Sequence, residues 1–362
     1  MRILHILGTP RAEGTPNLVL DWLSTGLHQQ EVYVLHKDPP DLTERLKSSA
    51  AWYGEASHLD LAKRKFPSIA AGVRAVCLER KPDLVICWTT GFGNWACLGA
   101  RLAGIKRLIV HCGNPPNRGF KADWITRYVM WPLFALGAKC VCCSNYVRDE
   151  FRAIPLLSPS MFSSVYNCAK ITAVAARAEA SRLKENRSQE LIGIMVATME
   201  SHKDHRTLLH ALPAILRDLP DFRIRFVGDG SLRPELETLA DNLNVAQAVE
   251  FLGTRRDVPE LLGQADVFIF STTPQEGLGT VLIEALAAGL PVIASAVPAC
   301  IEALDGGRLG KMVIPGSPDS IAAGIIDVLT ENKHDPSPGG KWAASFTPEQ
   351  MIASYLRIAN LG

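Results

Sequence analysis

The sequence lacks a surplus of charge of either sign and lacks any membrane span. Its 38 Lys and Arg stand against 37 Asp and Glu, a formal net charge of +1 over 362 residues. That balance speaks against a general nucleic-acid binder, which carries a basic surplus. No run of 18 or more apolar residues occurs. The longest uncharged stretches, Leu84–Ala100 and Ala285–Ile301, are broken by Gly, Thr, Asn or Pro, so no spanning helix is expected. The opening MRILHILGTP is too soon interrupted for a secretory signal. Low-complexity tracts and repeats of solenoid period are absent. With 47% hydrophobic and 21% charged residues, disordered and collagen-like chains are excluded. Nine cysteines are an odd number for a disulfide framework. Most sit in apolar runs, and the cluster Cys140, Cys142, Cys143 fits none of the usual zinc spacings. A reducing cytoplasmic setting is the expectation.

What is present is alternation. Arg2–Leu7 reads as a buried strand ending at Gly8, and Gly14 opens a helical period through Leu18, Val19, Trp22 and Leu23. Strand, glycine-bearing loop and helix begin a doubly wound α/β domain. Strand patterns follow at 31–36, 83–88, 107–111 and 139–144, with helical ones at 68–80, 94–103 and 123–137. A second series starts at Leu191–Ala197 and includes strands at 222–227, 249–252, 267–271 and 291–294. Two Rossmann-like domains with parallel sheets are expected. They would span residues 1–168 and 190–345, joined by a linker with a polar helix at 169–189 and closed by a helix at 346–362.

The most informative stretch runs from Pro274 to Leu286, PQEGLGTVLIEAL. It follows a strand and leads into a helix whose free N–H groups suit an anion, while two glycines allow close backbone approach. Glu276 sits on the loop and Glu284 eight positions later on the helix. Such a layout suits a phosphate in the middle and hydroxyls on both sides. The plainer reading is a helix-dipole carboxylate and a solvated helix face.

This stretch resembles the E-x7-E signature of retaining glycosyltransferases of the GT-B fold, family four. Val196-Ala197-Thr198-Met199, Lys203-Asp204-His205, Phe226-Val227-Gly228-Asp229-Gly230, Phe251-Leu252-Gly253 and Ala265-Asp266-Val267-Phe268 match in order and spacing. Val110-His111, Ser144 and Val165-Tyr166-Asn167 match more weakly. The resemblance implies two facing domains with a deep cleft between them. It implies transfer of a hexosyl group from a nucleoside-diphosphate sugar to an acceptor hydroxyl with retention, in polysaccharide, glycolipid or glycoconjugate synthesis. Uridine and guanosine donors both suit the family. Glu284 would hold ribose hydroxyls and Glu276 those of the donor sugar. The backbone of Gly277, Leu278, Gly279, Thr280 and Val281 would face sugar and phosphates, and Lys203 the pyrophosphate. His111 would lie over the donor sugar, unless it is a strand-end histidine satisfied by the backbone. Gly14 would stand near the phosphates and the acceptor.

One position departs from the pattern. Five residues before Lys203 the family places an arginine, and this chain has Thr198. Arg206, Arg255 and Arg256 are the nearby candidates to replace it. Two rival readings remain: a sugar-nucleotide 2-epimerase of the same fold, and a catalytically silent nucleotide-sugar binder. No Asp-x-Asp occurs, so a metal-independent enzyme with no cofactor is expected, and His202 and His205 lack companions for a metal site.

The charge is unevenly divided. Residues 1–168 hold 20 Lys and Arg against 13 Asp and Glu, and residues 169–362 hold 18 against 24. A basic N-terminal half allows peripheral contact with an anionic membrane, on its cytoplasmic face, or with a lipid-phosphate acceptor. Trp124, Tyr128, Met130 and Trp131 on the helix at 123–137 either join that contact or face the sheet, and the second is expected because a doubly wound domain must cover its sheet.

Overall fold

The computed structural model describes residues 1–12, 14–56, 66–184, 190–331 and 335–361. It divides into two compact units, Met1–Cys168 with Pro348–Gly362, and Ala169–Thr347. Residues 185–189 of the expected linker lie outside the described residues.

Among the described residues, unit 1 holds a seven-stranded parallel sheet. Its strands are β1 (Arg2–Leu7), β2 (Gln29–Val34), β3 (Trp52–Glu55), β4 (Leu84–Cys87), β5 (Leu108–Cys112), β6 (Lys139–Cys142) and β7 (Phe162–Ser164). They lie in the order β3-β2-β1-β4-β5-β6-β7. The helices are α1 (Gly14–Leu23), α2 (Thr43–Ser49), α3 (Phe66–Arg80), α4 (Gly93–Leu102), α5 (Phe120–Ala135) and α6 (Asn145–Arg152). Near-continuous apolar strands such as Ile3, Leu4, Ile6 and Leu7 are buried because helices cover both faces of a parallel sheet. The acid in β2, Glu31, is buried but accepts from Arg80 Nη2 at 2.7 Å and faces Arg2 Nε at 3.2 Å, as a buried charge requires.

Unit 2 begins with α7 (Ile171–Lys184) and holds a six-stranded parallel sheet among the described residues. Its strands are β8 (Leu191–Val196), β9 (Phe222–Val227), β10 (Val249–Gly253), β11 (Val267–Phe270), β12 (Val292–Ser295) and β13 (Lys311–Val313), in the order β10-β9-β8-β11-β12-β13. Its further helices are α8 (His205–Asp218), α9 (Arg233–Asn242), α10 (Val258–Gly263), α11 (Thr280–Ala287), α12 (Pro298–Ala303), α13 (Pro318–Glu331) and α14 (Ser337–Ala343). Ile171, Val174 and Ala178 of α7 are buried, and α10 lies on it at Gly263, where any Cβ would collide with the Ala178 carbonyl. The last helix, α15 (Pro348–Ile358), belongs to unit 1, where Met351, Ile352 and Tyr355 join the core around Trp22 and Trp88.

The chain reverses its direction of strand addition between β1 and β4 in unit 1 and between β8 and β11 in unit 2. At such a switch point the loops leaving the carboxyl ends of the two strands part, and a crevice opens between them.

The expectation for α5 is corrected. Met130 does face the sheet, but Trp124, Tyr128 and Trp131 are exposed. A helix turns one stripe inward, and here Arg127, Met130 and Leu133 occupy it. The remaining apolar residues fall on the solvent side.

Candidate functional site

The loops after β8 and β11 flank the unit 2 switch point, and they carry Lys203 and Glu276. The first loop, 197–204, is shaped by its neighbour after β9. Gly228 has φ +139°, and a Cβ there would strike the Ala197 carbonyl, while one on Gly230 would strike that of Met199. The two glycines let the strands' ends close on each other, and Met199 N–H donates to the Asp229 carbonyl at 3.0 Å. The loop then ends at Asp204, whose carboxylate caps α8 by accepting from Thr207 N–H at 3.3 Å.

The second loop is tied to the first. Thr272 Oγ1 donates to the His202 carbonyl at 2.8 Å, Thr273 N–H to the same oxygen at 3.1 Å, and Thr272 N–H to Ser295 Oγ at 3.1 Å. The tie fixes Lys203 against Glu276, whose carboxylate forms an ion pair with Lys203 Nζ. Glu276 is only 6% exposed. Its Oε1 also accepts from Gly277 N–H at 3.0 Å and Gly279 N–H at 3.2 Å. Burial alone would raise its pKa. Lys203 and the amides outweigh that and hold it below the ordinary carboxylate range. Lys203 Nζ also lies 5.0 Å from the Phe270 ring centroid, a contact that favours a cation.

Gly279 caps α11 with φ +71°, a left-handed conformation suited to glycine. Leu282 N–H donates to the Gly279 carbonyl at 2.8 Å. Thr280 and Val281 begin the helix, so their N–H groups have no intrahelical acceptor. Leu278 is buried beneath the turn, and Glu284 is half-buried one turn further along. The structure thus gathers Lys203, Glu276, Gly277 and Gly279 into one hydrogen-bonded group, with Thr280, Val281 and Glu284 on the helix that group starts. Thr198 is half-buried on the Lys203 loop. Of the candidate cations, Arg206 pairs with Glu235, and Arg255 holds Asp257 through two hydrogen bonds of 2.8 and 2.6 Å. His205 is buried against Phe226, with its pKa pushed down to about 4 by desolvation.

His111 and Gly14 stand in unit 1. Gly14 is exposed at the start of α1, with no atom within 4 Å of where its Cβ would be. His111 lies in β5, 2% exposed, its ring against Trp88. Its Nδ1 is 2.7 Å from the Tyr355 hydroxyl of α15. Desolvation lowers its pKa to about 4 and raises that of Tyr355 well above the usual value. A protonated hydroxyl with no other acceptor among the described residues donates to Nδ1, which leaves the imidazole proton on Nε2. The partner is therefore a side chain and not the backbone. Sequence reasoning missed Tyr355, which is 244 residues away. It also missed Ser295, and Thr272 and Thr273, whose one signal was the polar run Ser271-Thr272-Thr273 directly after an apolar strand.

The family model described as glycosyl transferases group 1 matches residues 177–339, the part of the chain that contains both loops. A GDP-mannose-dependent alpha-(1-6)-phosphatidylinositol monomannoside mannosyltransferase of Mycolicibacterium smegmatis is 30% identical over 316 residues, 81% of this chain and 79% of the relative. Among solved structures, Anabaena Alr3699/HepE in complex with UDP-glucose has a TM-score of 0.83 at 17% identity, covering 99% of each chain. WaaG, a glycosyltransferase involved in lipopolysaccharide biosynthesis, has a TM-score of 0.68 at 18% identity, with 99% of each covered. These likenesses establish the fold, two Rossmann-like parallel-sheet domains. The mannosyltransferase match runs over four fifths of the sequence, and on that extent the chain belongs to the glycosyl transferases of group 1.

Proposed function

We propose that the protein transfers a hexosyl group from a nucleoside-diphosphate sugar to an acceptor hydroxyl with retention, in the synthesis of a glycan or glycolipid. The observation that carries this reading is the ion pair of Lys203 with buried Glu276 at the switch point, beside the open amides of α11. A cation and helix-end N–H groups suit a diphosphate, and a fixed carboxylate suits sugar hydroxyls. The similarity to a GDP-mannose-dependent enzyme and to a fold known with UDP-glucose supports a nucleotide-sugar donor.

In this reading Lys203 and the amides of Leu278, Thr280 and Val281 take up the charge that develops on the leaving diphosphate, while those of Gly277 and Gly279 hold the Glu276 carboxylate against the sugar. Glu276 orients the donor sugar, Glu284 the ribose, and Thr198 lines the donor loop without adding charge. Lys203 has three N–H donors, so it can hold a phosphate oxygen while keeping Glu276. His111 contacts the sugar through its Nε2 proton, and Gly14 belongs to the phosphate and acceptor side. The bond from C1 to the diphosphate oxygen breaks as the acceptor oxygen bonds C1 on the same face. The acceptor proton passes to a phosphate oxygen of the leaving group, so no protein nucleophile and no metal ion is required. The test is nucleotide release from UDP- and GDP-sugars with lipid or glycan acceptors, with and without EDTA. Acceptor-dependent release that survives EDTA, with the product anomer matching the donor, is expected. An inverted anomer or release abolished by EDTA would overturn the mechanism.

A further inference from the structure

The outward face of α5 is apolar. Phe120, Trp124, Ile125, Tyr128 and Trp131 are exposed along it, Phe120 by 85% and Tyr128 by 71%. An open groove of about 550 Å³ is lined by the first four together with Lys121. The neighbouring loop adds Leu156, exposed and at φ +68°. Its carbonyl accepts from Trp131 Nε1 at 3.1 Å, and the Pro155 carbonyl accepts from Arg127 Nε at 2.7 Å. These bonds hold the Trp131 ring and the Arg127 guanidinium in place. The Arg127 guanidinium lies 4.8 Å from the Trp124 ring centroid, and the two tryptophans meet edge to face at 6.0 Å. Lys121 is the only charged side chain among the exposed residues of the helix. Asp123 is tucked in beside Arg118, 3.6 Å away.

We propose that this face is a docking surface for an anionic lipid bilayer, with the aromatic row seated at the headgroup level. Apolar patches of this extent on a monomer mark interaction sites. Trp and Tyr combine an apolar ring with a polar edge and settle at membrane interfaces. Charge selects the occupant. With α15 included, unit 1 carries 21 Lys and Arg against 14 Asp and Glu, a surplus of 7. A second copy would set that surplus against itself, whereas anionic headgroups offer the opposite charge together with an apolar layer. The Trp131 ring, already hydrogen-bonded, and the Trp124 ring, packed on it and on Arg127, lose little freedom on insertion. The inference deepens the proposed transfer by placing the protein where an amphiphilic acceptor resides, and for that purpose it rests on the transfer reading.

The experiment is flotation with vesicles of phosphatidylcholine alone and of phosphatidylcholine with phosphatidylglycerol, at low and high salt. Wild type is compared with Phe120→Ser/Ile125→Ser/Tyr128→Ser and with Lys121→Glu. The side chains at the three serine positions make no hydrogen bond or ring contact in the structure, so the fold is expected to survive, and far-ultraviolet circular dichroism checks it. Expected are binding at least about tenfold stronger to the anionic vesicles, weakening with salt, and a loss of at least about 100-fold in the triple variant. Lys121→Glu should weaken binding severalfold. No binding to either vesicle overturns the proposal, as does binding unchanged in the triple variant. A wild-type dimer in sedimentation that the triple variant abolishes would assign the face to a second copy and overturn it too. Thermal shifts with UDP- and GDP-sugars are read on the same samples. Vesicle binding lost with the donor shift kept removes only the docking surface, and the reverse removes only the transfer reading.

Discussion

Glu276 keeps its charge in a nearly water-free position because Lys203 and two backbone amides replace the solvent. Removing one partner of a buried pair leaves the other uncompensated, which is strongly destabilising. Lys203→Ala is therefore expected to lower unfolding free energy by about 3 kcal/mol in urea titrations, and Lys203→Ala/Glu276→Gln by less. The folded pKa of Glu276 is depressed, so its contribution is complete above the ordinary carboxylate value and disappears as pH falls through the lowered one. A second residue-scale prediction concerns Tyr355. Tyr355→Phe removes the hydroxyl that fixes the His111 tautomer and should cost about 1 kcal/mol of stability. Donor-induced thermal shifts should be unchanged while transfer falls on the order of tenfold. An unchanged turnover would reduce Tyr355 to a packing residue. As candidates, Glu276 and Glu284 were legible from their spacing around a glycine-bearing helix start, and Lys203 from the resemblance. Tyr355 was not, since its meaning depends on a contact made across the whole chain.

At the scale of elements, the site depends on two loops being brought together by glycine. Gly228→Ala would need a side chain at φ +139° and a clash with the Ala197 carbonyl. It is expected to cost about 2–4 kcal/mol and to abolish the donor-induced shift, both measurable by calorimetry. The strand-loop-helix order around this site could be read from apolar runs ended by glycine. The strand β3, Trp52-Tyr53-Gly54-Glu55, could not, because a short, half-buried edge strand shows neither a continuous apolar run nor clean alternation. The orientation of α5 also escaped reading, since the helix carries apolar residues on both faces. The row Arg127, Met130, Leu133 prevailed because the Arg127 Nε–H finds the Pro155 carbonyl, so that an arginine could be buried and its aromatic neighbours left outside.

Among the described residues of the whole molecule, three histidines are buried in a neutral state. His5 accepts from Trp88 Nε1 at 3.0 Å and lies 3.1 Å from Gln30 Oε1, His111 meets Tyr355, and His205 packs on Phe226. Desolvation holds each near a pKa of about 4, against 6.5 for the free side chain. Between these values the unfolded chain binds protons that the native state refuses, so stability rises with pH across the window. Full stability is expected above pH about 6.5. A loss on the order of 1–2 kcal/mol per histidine is expected by pH about 5, seen as falling denaturation midpoints. A flat profile between those values would contradict the burial of the three rings. The division of charge between the halves was countable from the sequence alone. Which surface displays it was not, because packing decides which apolar residues are left facing water.

The proposed donor site comprises the loops after β8 and β11, with Lys203, Glu276 and the start of α11 as its binding groups. Its most direct test is a thermal-shift titration of wild type, Lys203→Gln and Glu276→Gln with UDP, GDP and their hexose conjugates. A ligand that binds only the folded state raises its melting temperature. One donor class should raise that of wild type in a saturable way, and both variants should lose most of the shift while still unfolding cooperatively. No shift with any nucleotide, or an undiminished shift in both variants, would contradict the account.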